Sequence, residues 1–187
     1  MSNKYSIGQM NEVADMAEGV GITPEMFKKL SQRSVMEQLA KILNGTHEVK
    51  PISYLVDGDA DPFCPPNWKV ESHRKMGKID FDPSKLDLYL SEGQKKGVIG
   101  GEKLRKEIEK LEGVMNANWL EFFLANPHLI PESWKGKAVM FWGTIYRVSV
   151  GSLYVRFLYW NGDAWNWSYY WPAFVFDDGN PAARARK

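Results

Sequence analysis

Near its C-terminus the chain alternates large aromatic and β-branched residues, interrupted by two short breaks that contain glycine. The breaks are Val150-Gly151 and Asn161-Gly162, and Asn-Gly is the strongest two-residue signal for a β-hairpin. An antiparallel β-meander over residues 139–171 is therefore expected, and no other segment constrains the fold as strongly. The three predicted strands are Ala138–Val148, Leu153–Trp160 and Ala164–Trp171.

This meander holds most of the chain's aromatic residues. Aromatic residues make up 13% of the sequence, with eight Trp, and 14 of the 25 lie between Phe141 and Phe176. In that span only Arg147, Arg156 and Asp163 are charged. A sheet face that meets water normally alternates with polar residues, so both faces of this sheet are expected to be covered.

Counting outward from two-residue hairpin loops assigns the side chains to faces. On this register one face, named here the Arg156 face, carries both arginines among its rings. A slip of one residue on any strand would move that strand's side chains to the other face. The candidate binding residues on the predicted Arg156 face are Arg147, Tyr154, Arg156, Trp160, Trp165, Trp167, Tyr169 and Trp171; Phe141, Ile145 and Leu158 share the face.

Two interpretations of the Arg156 face remain open. Guanidinium groups stacked on indole or phenol rings form a surface that suits flat ligands or a partner's side chains. Alternatively, the rings are cross-strand pairs that stabilise a small sheet, with the arginines extending past them. The leading hypothesis is a non-catalytic binding or interaction module of unknown ligand. Base stacking of single-stranded nucleic acid on the same face is a second alternative.

Charge and cysteine content narrow the possible partners and compartment. The formal net charge is +1, so a protein partner or self-association is favoured over nucleic acid. No cofactor is expected. The single Cys64 excludes an internal disulfide and a cysteine-based zinc site. The first residues contain no apolar run, and no stretch is long and apolar enough to span a bilayer. A cytoplasmic location without membrane binding is expected.

The remaining segments predict an α+β fold. Residues 1–50 form a small segment of short helices, and residues 51–180 form an α+β core domain. Within this core, helices at Glu102–Leu111 and Ala117–Ala125 are expected to pack on one face of the meander. The small and basic residues 181–187 are expected to form a flexible tail.

A run of alternating aspartates supplies the main enzymatic alternative. Asp57, Asp59 and Asp61 have the spacing of hard-metal ligands, which would suit a small metal-dependent hydrolase. A helix–loop–helix calcium site is excluded, because its glycine and bidentate acid positions hold Pro62 and Trp68. Asp-Gly and Asp-Pro are also common turn formers, so the turn interpretation competes with the metal site.

Four sequence strings resemble a known group of proteins. They are Asp57–Phe63, Asn116–Asn118, Ala125–Pro131 and Phe141–Arg147. They are similar to strings shared by a widespread family of bacterial proteins of unknown function, found largely in small-genome candidate lineages. The resemblance covers the chain from about Ile52 onward. It implies a compact bacterial protein and supplies no activity, ligand or catalytic residue.

Overall fold

A computed structural model of the protein describes residues 6–48 and 53–186, which belong to two compact units, Met1–Ile52 and Ser53–Lys187. The boundary predicted near residue 50 falls outside the described residues. The mixture of helices with a mainly antiparallel sheet confirms the α+β class. The helices are α1 (Ile7–Gly19), α2 (Pro24–Leu30), α3 (Arg33–Leu43), α4 (Glu92–Lys95), α5 (Gly101–Ile108) and α6 (Ala117–Ala125). The strands are β1 (Leu55–Asp57), β2 (Trp68–His73), β3 (Lys78–Asp80), β4 (Leu86–Tyr89), β5 (Ile99–Gly100), β6 (Val139–Val148), β7 (Leu153–Trp160), β8 (Trp165–Tyr170), β9 (Val175–Phe176) and β10 (Ala182–Ala185).

The N-terminal unit consists of the three helices α1, α2 and α3. The Thr23 hydroxyl accepts a hydrogen bond from the Met26 N–H at 3.3 Å, so it caps the start of α2. Among residues 6–48, Ala17 is the one buried side chain. No helix in the described part of the chain is both long and apolar enough to cross a membrane.

The predicted meander is confirmed as β6, β7 and β8, and further strands extend it. The sheet runs in the order β4-β10-β6-β7-β8, and β2 pairs with the half of β6 that lies beyond β10. Among the described strands, only β10 and β6 pair in parallel. β8 stands at the edge of the sheet, since β7 is its one strand neighbour in the described structure.

The first hairpin differs from its prediction by one residue. Its loop has three residues, because the Val148 N–H donates to the Ser152 carbonyl at 3.0 Å and Gly151 adopts a φ of 86°. Tyr146 therefore pairs with Tyr154, and Arg147 pairs with Leu153. A one-residue slip moves side chains to the other face, so the placement of Ile145 and Arg147 on the Arg156 face was wrong.

An irregularity in β6 restores the predicted faces farther from the turn. The register with β7 shifts between Met140 and Ile145, which leaves Phe141 on the Arg156 face as predicted. Gly143 lies within this stretch, and a Cβ there would come within 2.8 Å of the Asn116 backbone. Asn116 belongs to a segment that approaches β6 closely, and the Gly143 N–H donates to the Met115 carbonyl at 2.9 Å.

The second hairpin keeps its predicted faces although its pairing differs. The Asn161 N–H donates to the Ala164 carbonyl, so Gly162 and Asp163 form the loop. Trp160 consequently pairs with Trp165. Each partner is displaced by two residues from the prediction, and a shift of two leaves every side chain on its own face.

The central helices cover opposite faces of the sheet, so the prediction that both pack on one face was wrong. On the Arg156 face, the α6 residues Trp119, Leu120 and Phe123 pack in a buried cluster with residues of β6 and β7. The opposite face, named here the Trp142 face, packs against Leu104 and Ile108 of α5. The sheet is therefore the middle layer between two helices, which explains why its residues are large on both sides.

The C-terminal residues are also part of this sheet. The expectation of a flexible tail over residues 181–187 was wrong, because β10 pairs along its length with β4 and touches β6 at Met140. Ala182 and Ala183 are buried, one in each core cluster. The composition of this segment alone does not indicate its pairing with β4 and β6. Lys187 lies outside the described residues.

Candidate functional site

Six of the eight candidate binding residues share the Arg156 face. They are Tyr154, Arg156 and Trp160 of β7 and Trp165, Trp167 and Tyr169 of β8, as the strand pairing shows. Arg147 lies on the Trp142 face, and Trp171 follows the end of β8. The structure thus brings together the aromatic part of the predicted site and separates its two arginines.

Arg156 is an internal group. Its side chain is 1% exposed, and Nη1 donates to Glu121 Oε1 of α6 at 2.6 Å. The guanidinium lies 4.0 Å from the centre of the Trp167 ring and 5.1 Å from that of Phe63. Its Nε and Nη2 atoms have no hydrogen-bond partner among the described residues. The arginine therefore joins β7 to α6 and supports the Trp167 ring from beneath.

Burial near Arg156 also affects a neighbouring tyrosine. The Tyr146 hydroxyl donates to the Phe63 carbonyl at 2.8 Å. Burial raises the pKa of Tyr146, and the charge and hydrogen bonding of Arg156 oppose that rise. The tyrosine thus remains a neutral donor that fixes the loop carrying Phe63 over the sheet.

Arg147 is occupied by a different partner. Its Nε and Nη2 donate to the two carboxylate oxygens of Glu71, each at 2.7 Å, and its Nη1 donates to the Gly151 carbonyl. The bonds from Arg147 lower the pKa of Glu71. This fork-like pair holds β2 to the first hairpin, so neither arginine presents a free cation on the Arg156 face.

Aromatic side chains of β2 and of the segment before it pack on part of the Arg156 face. The Trp68 ring of β2 stacks on Tyr154 at 5.2 Å and meets Tyr169 edge-on at 5.0 Å. Phe63 meets Trp167 edge-on at 6.3 Å. Tyr169 is 47% exposed and Phe63 is 48% exposed. These five residues, the aromatic patch, form a preassembled surface that retains access to solvent.

β8 adds an open strand edge to this patch. No strand within the described part of the core domain pairs with its free side. From residue 164 to residue 176 the chain has no charged residue, and β8 itself has no proline. Exposed edges in soluble proteins normally carry charges, prolines or bulges that prevent pairing with another strand. β8 has none of the three, which marks it as a place where a strand can be added.

The aspartate loop is organised by hydrogen bonds of its own. Asp57 Oδ1 accepts from the Asp59 N–H at 3.1 Å, and Asp59 Oδ1 accepts from the N–H groups of Met76 and Gly77. The bond from the Asp59 N–H is the largest influence that lowers the pKa of Asp57. Over residues 6–48 and 53–186, no three His, Cys, Asp or Glu side chains are grouped as a metal ion would need. The hydrogen bonds of Asp57 and Asp59 are those expected of a turn. Asp61 does not complete a group of three metal-binding side chains with them.

Sequence reasoning missed a polar network at the irregularity in β6. His73 Nδ1 lies 2.8 Å from Thr144 Oγ1, which also accepts from the Ala117 N–H at the start of α6. The buried Asn116 amide donates to the carbonyls of Gly58 and Arg74. Burial lowers the pKa of His73. These residues are distant in sequence, so no local motif could have indicated the network.

Comparison with protein-family models, with curated proteins and with solved structures finds no match. The resemblance to a family of bacterial proteins therefore stays a prediction. Any function must rest on the geometry of this chain's own surfaces, of which the aromatic patch with the β8 edge is the one that combines several of the predicted residues.

Proposed function

We propose that the core domain is a non-catalytic interaction module that adds a polypeptide strand to the free edge of β8. The observation that carries the proposal is that edge itself, which is six residues long, uncharged and bordered by the aromatic patch. Strand addition uses main-chain hydrogen bonds for affinity and alternate side chains for specificity. β8 offers both, since its backbone is unpaired on one side and its rings are partly exposed.

The occupant that fits this edge is β8 of a second copy. In an antiparallel pair with a two-fold axis at Trp167, Trp165 would stand opposite the partner's Tyr169, and Asn166 opposite the partner's Ser168. Residues directly opposite share a face, so aromatic side chains would meet aromatic side chains. Such a pair is self-complementary, which is the condition for a closed dimer.

The lack of charged residues in β8 also favours a second copy of β8 as the occupant. Two copies of an uncharged strand meet without like-charge repulsion, and the whole chain carries a net charge of only +1. Stacked nucleic acid is the weaker alternative, because Arg156 is buried against Glu121 and Arg147 is held by Glu71. A phosphate backbone would find no unpaired arginine on this face.

The proposal is tested by the mass in solution of the full chain and of two charge variants. Asn166→Lys/Ser168→Lys would place two lysine pairs across the two-fold axis and prevent dimers. Asn166→Lys/Ser168→Glu would place each lysine opposite a glutamate of the partner and restore them. Sedimentation equilibrium over a range of protein concentrations measures all three proteins.

The expected result is twice the monomer mass for the natural chain and the Lys/Glu variant, and the monomer mass for the Lys/Lys variant. Circular dichroism and melting temperature establish that each variant is folded. A natural chain that stays monomeric at every concentration would overturn the proposal. So would dimers that persist in the Lys/Lys variant, since another surface would then hold the copies together.

A further inference from the structure

A second surface, to which β8 contributes no residue, has the properties of a small-molecule site. A half-open cleft of about 650 Å³ lies in the core domain, between residues 74–86, residues 109–114 and the end of β10. This volume falls within the range of about 300–1,000 Å³ that is typical of ligand pockets. The aspartate loop and the aromatic patch contribute no residue to it.

The cleft has an apolar interior that contains one unsatisfied donor. Ile79, Leu86, Leu111 and Val114 line it together with Trp119. The Trp119 side chain is 2% exposed, and its Nε1–H has no acceptor among the described residues. A buried donor without a partner is unfavourable, so an oxygen acceptor supplied by a ligand would satisfy it.

The acidic groups that line the cleft are already engaged. Asp80 accepts from the Ser53 hydroxyl at 2.9 Å, and Asp82 accepts from the Ser84 N–H and hydroxyl. Glu109 is paired with Arg105 at 2.9 Å, and Glu112 also has a partner. The serine groups orient Asp80 and Asp82 but leave their negative charges in place, and the charge of Lys85 contributes to lowering the pKa of Asp82.

Two of the basic groups in the same wall, Lys85 and Lys110, lack a hydrogen-bond or ion-pair partner among the described residues. Arg74 donates to the carbonyls of Leu111 and Glu109, Lys75 donates to the Asp59 carbonyl, and Arg186 is paired with Asp87. In contrast, the ammonium groups of Lys85 and Lys110 form no hydrogen bond or ion pair within the described residues. Basic side chains therefore outnumber acidic ones by five to four in the lining of the cleft, above an apolar interior.

We infer that this cleft binds a small amphipathic anion, with its apolar body against Leu86 and Leu111, an oxygen acceptor at the Trp119 Nε1–H and its acidic group near Lys85 and Lys110. The apolar walls supply burial, and the two ammonium groups fix the orientation of the ligand. This site is independent of strand addition at β8, so either can fail while the other stands.

The test uses two fluorescent probes of similar shape and different charge, anilinonaphthalene sulfonate and the uncharged phenylnaphthylamine. Each is titrated into the natural full-length chain and into Lys85→Gln/Lys110→Gln. Loss of both lysines is expected to weaken binding of the sulfonate about three- to tenfold and to leave the uncharged probe unchanged. Lys96→Gln/Lys103→Gln, which removes two exposed lysines outside the cleft, is the matched control and should bind both probes normally.

A cleft-filling variant and a patch variant locate the probes. Ala185→Met adds bulk to the cleft wall and is expected to weaken both probes, while Tyr169→Ala in the aromatic patch should change neither. Melting temperatures identify any variant that fails to fold. Unchanged sulfonate binding in Lys85→Gln/Lys110→Gln would overturn the inference, as would loss of both probes in Tyr169→Ala, which would place them on the patch.

Discussion

The two faces of the central sheet are built from alternate residues of the same strands, yet they differ in how completely they are covered. The Trp142 face packs on α5 with an apolar cluster that includes Leu104, Ile108 and Phe176. The Arg156 face is equally closed beneath α6, where Trp119 and Phe123 are buried. The same face, however, also holds a buried arginine that is paired with α6 and, next to it, the aromatic patch, whose rings remain partly exposed.

Under the proposed function, this difference separates the residues that stabilise the sheet from those that would bind a partner. Both faces are core at their centres, since each is closed by a helix. The Arg156 face extends past its helix to the free edge of β8, and there large aromatic side chains are held in place without being removed from solvent. A surface that the fold has already ordered loses little further entropy when a partner binds.

The largest loss of stability is expected from the buried core residues, which lie on both faces and should matter equally on each. Phe123→Ala beneath α6 and Phe176→Ala beside α5 each remove a fully buried ring, so each should lower the free energy of unfolding by about 3–5 kcal/mol. Urea denaturation followed by circular dichroism measures both. If Phe123→Ala cost less than 1 kcal/mol while Phe176→Ala cost the full amount, the Arg156 face would not be core even under α6.

A smaller effect is expected from the buried charge that distinguishes the Arg156 face. Glu121→Leu would leave the Arg156 guanidinium without its carboxylate and should destabilise the fold by about 2–3 kcal/mol, less than a fully buried pair because Glu121 is partly exposed. Glu121→Leu/Arg156→Met removes the charge as well and should recover most of the loss. Equal stability of the single and double variants would show that the guanidinium does not depend on Glu121.

The smallest effect is a pH dependence of stability that arises at His73, in the polar network with Thr144 and Asn116. Burial, assisted by the charge of Lys75, lowers the pKa of His73 from its ordinary value of 6.5, so the unfolded chain takes up this proton more readily. The neutral His73 side chain contributes to the stability of the fold above pH 6.5. This contribution is lost as the pH falls below 6.5 and the unfolded chain binds the proton. Unfolding free energies measured between pH 7.5 and about 5.5 should therefore decline with acidity, and His73→Gln should flatten the decline. An identical slope in the variant would contradict this assignment.

The sequence predicted those parts of the fold that depend on local patterns. The meander strands and the span Ala117–Ala125 of α6 lie where alternation and the following proline placed them. The face of Arg147 was missed because loop length and the irregularity near Gly143 depend on how Asn116 packs against β6. β10 was missed because its pairing with β4 joins segments almost a hundred residues apart.

The sequence predicted which residues share the candidate site, but it did not predict which of them are exposed to solvent. Six aromatic or arginine residues of β7 and β8 were grouped correctly, because a shift of two residues preserves faces. Burial of Arg156 depends on Glu121, and the cover of the patch depends on Trp68 and Phe63, all contributed by distant segments. Alternation assigns a face, but tertiary packing decides which part of that face meets solvent.

Disulfide cross-linking across β8 tests strand addition most directly. The experiment uses a Cys64→Ser background, which removes the exposed natural thiol. The proposed β8 pairing places position 166 of one copy opposite position 168 of the other. Mixing Asn166→Cys protein with Ser168→Cys protein under mild oxidation should give a cross-linked dimer, because opposite residues lie within disulfide reach. Each variant oxidised alone should remain largely uncross-linked. Equal cross-linking of the separate proteins and the mixture, or none in any sample, would contradict antiparallel pairing of β8 about Trp167.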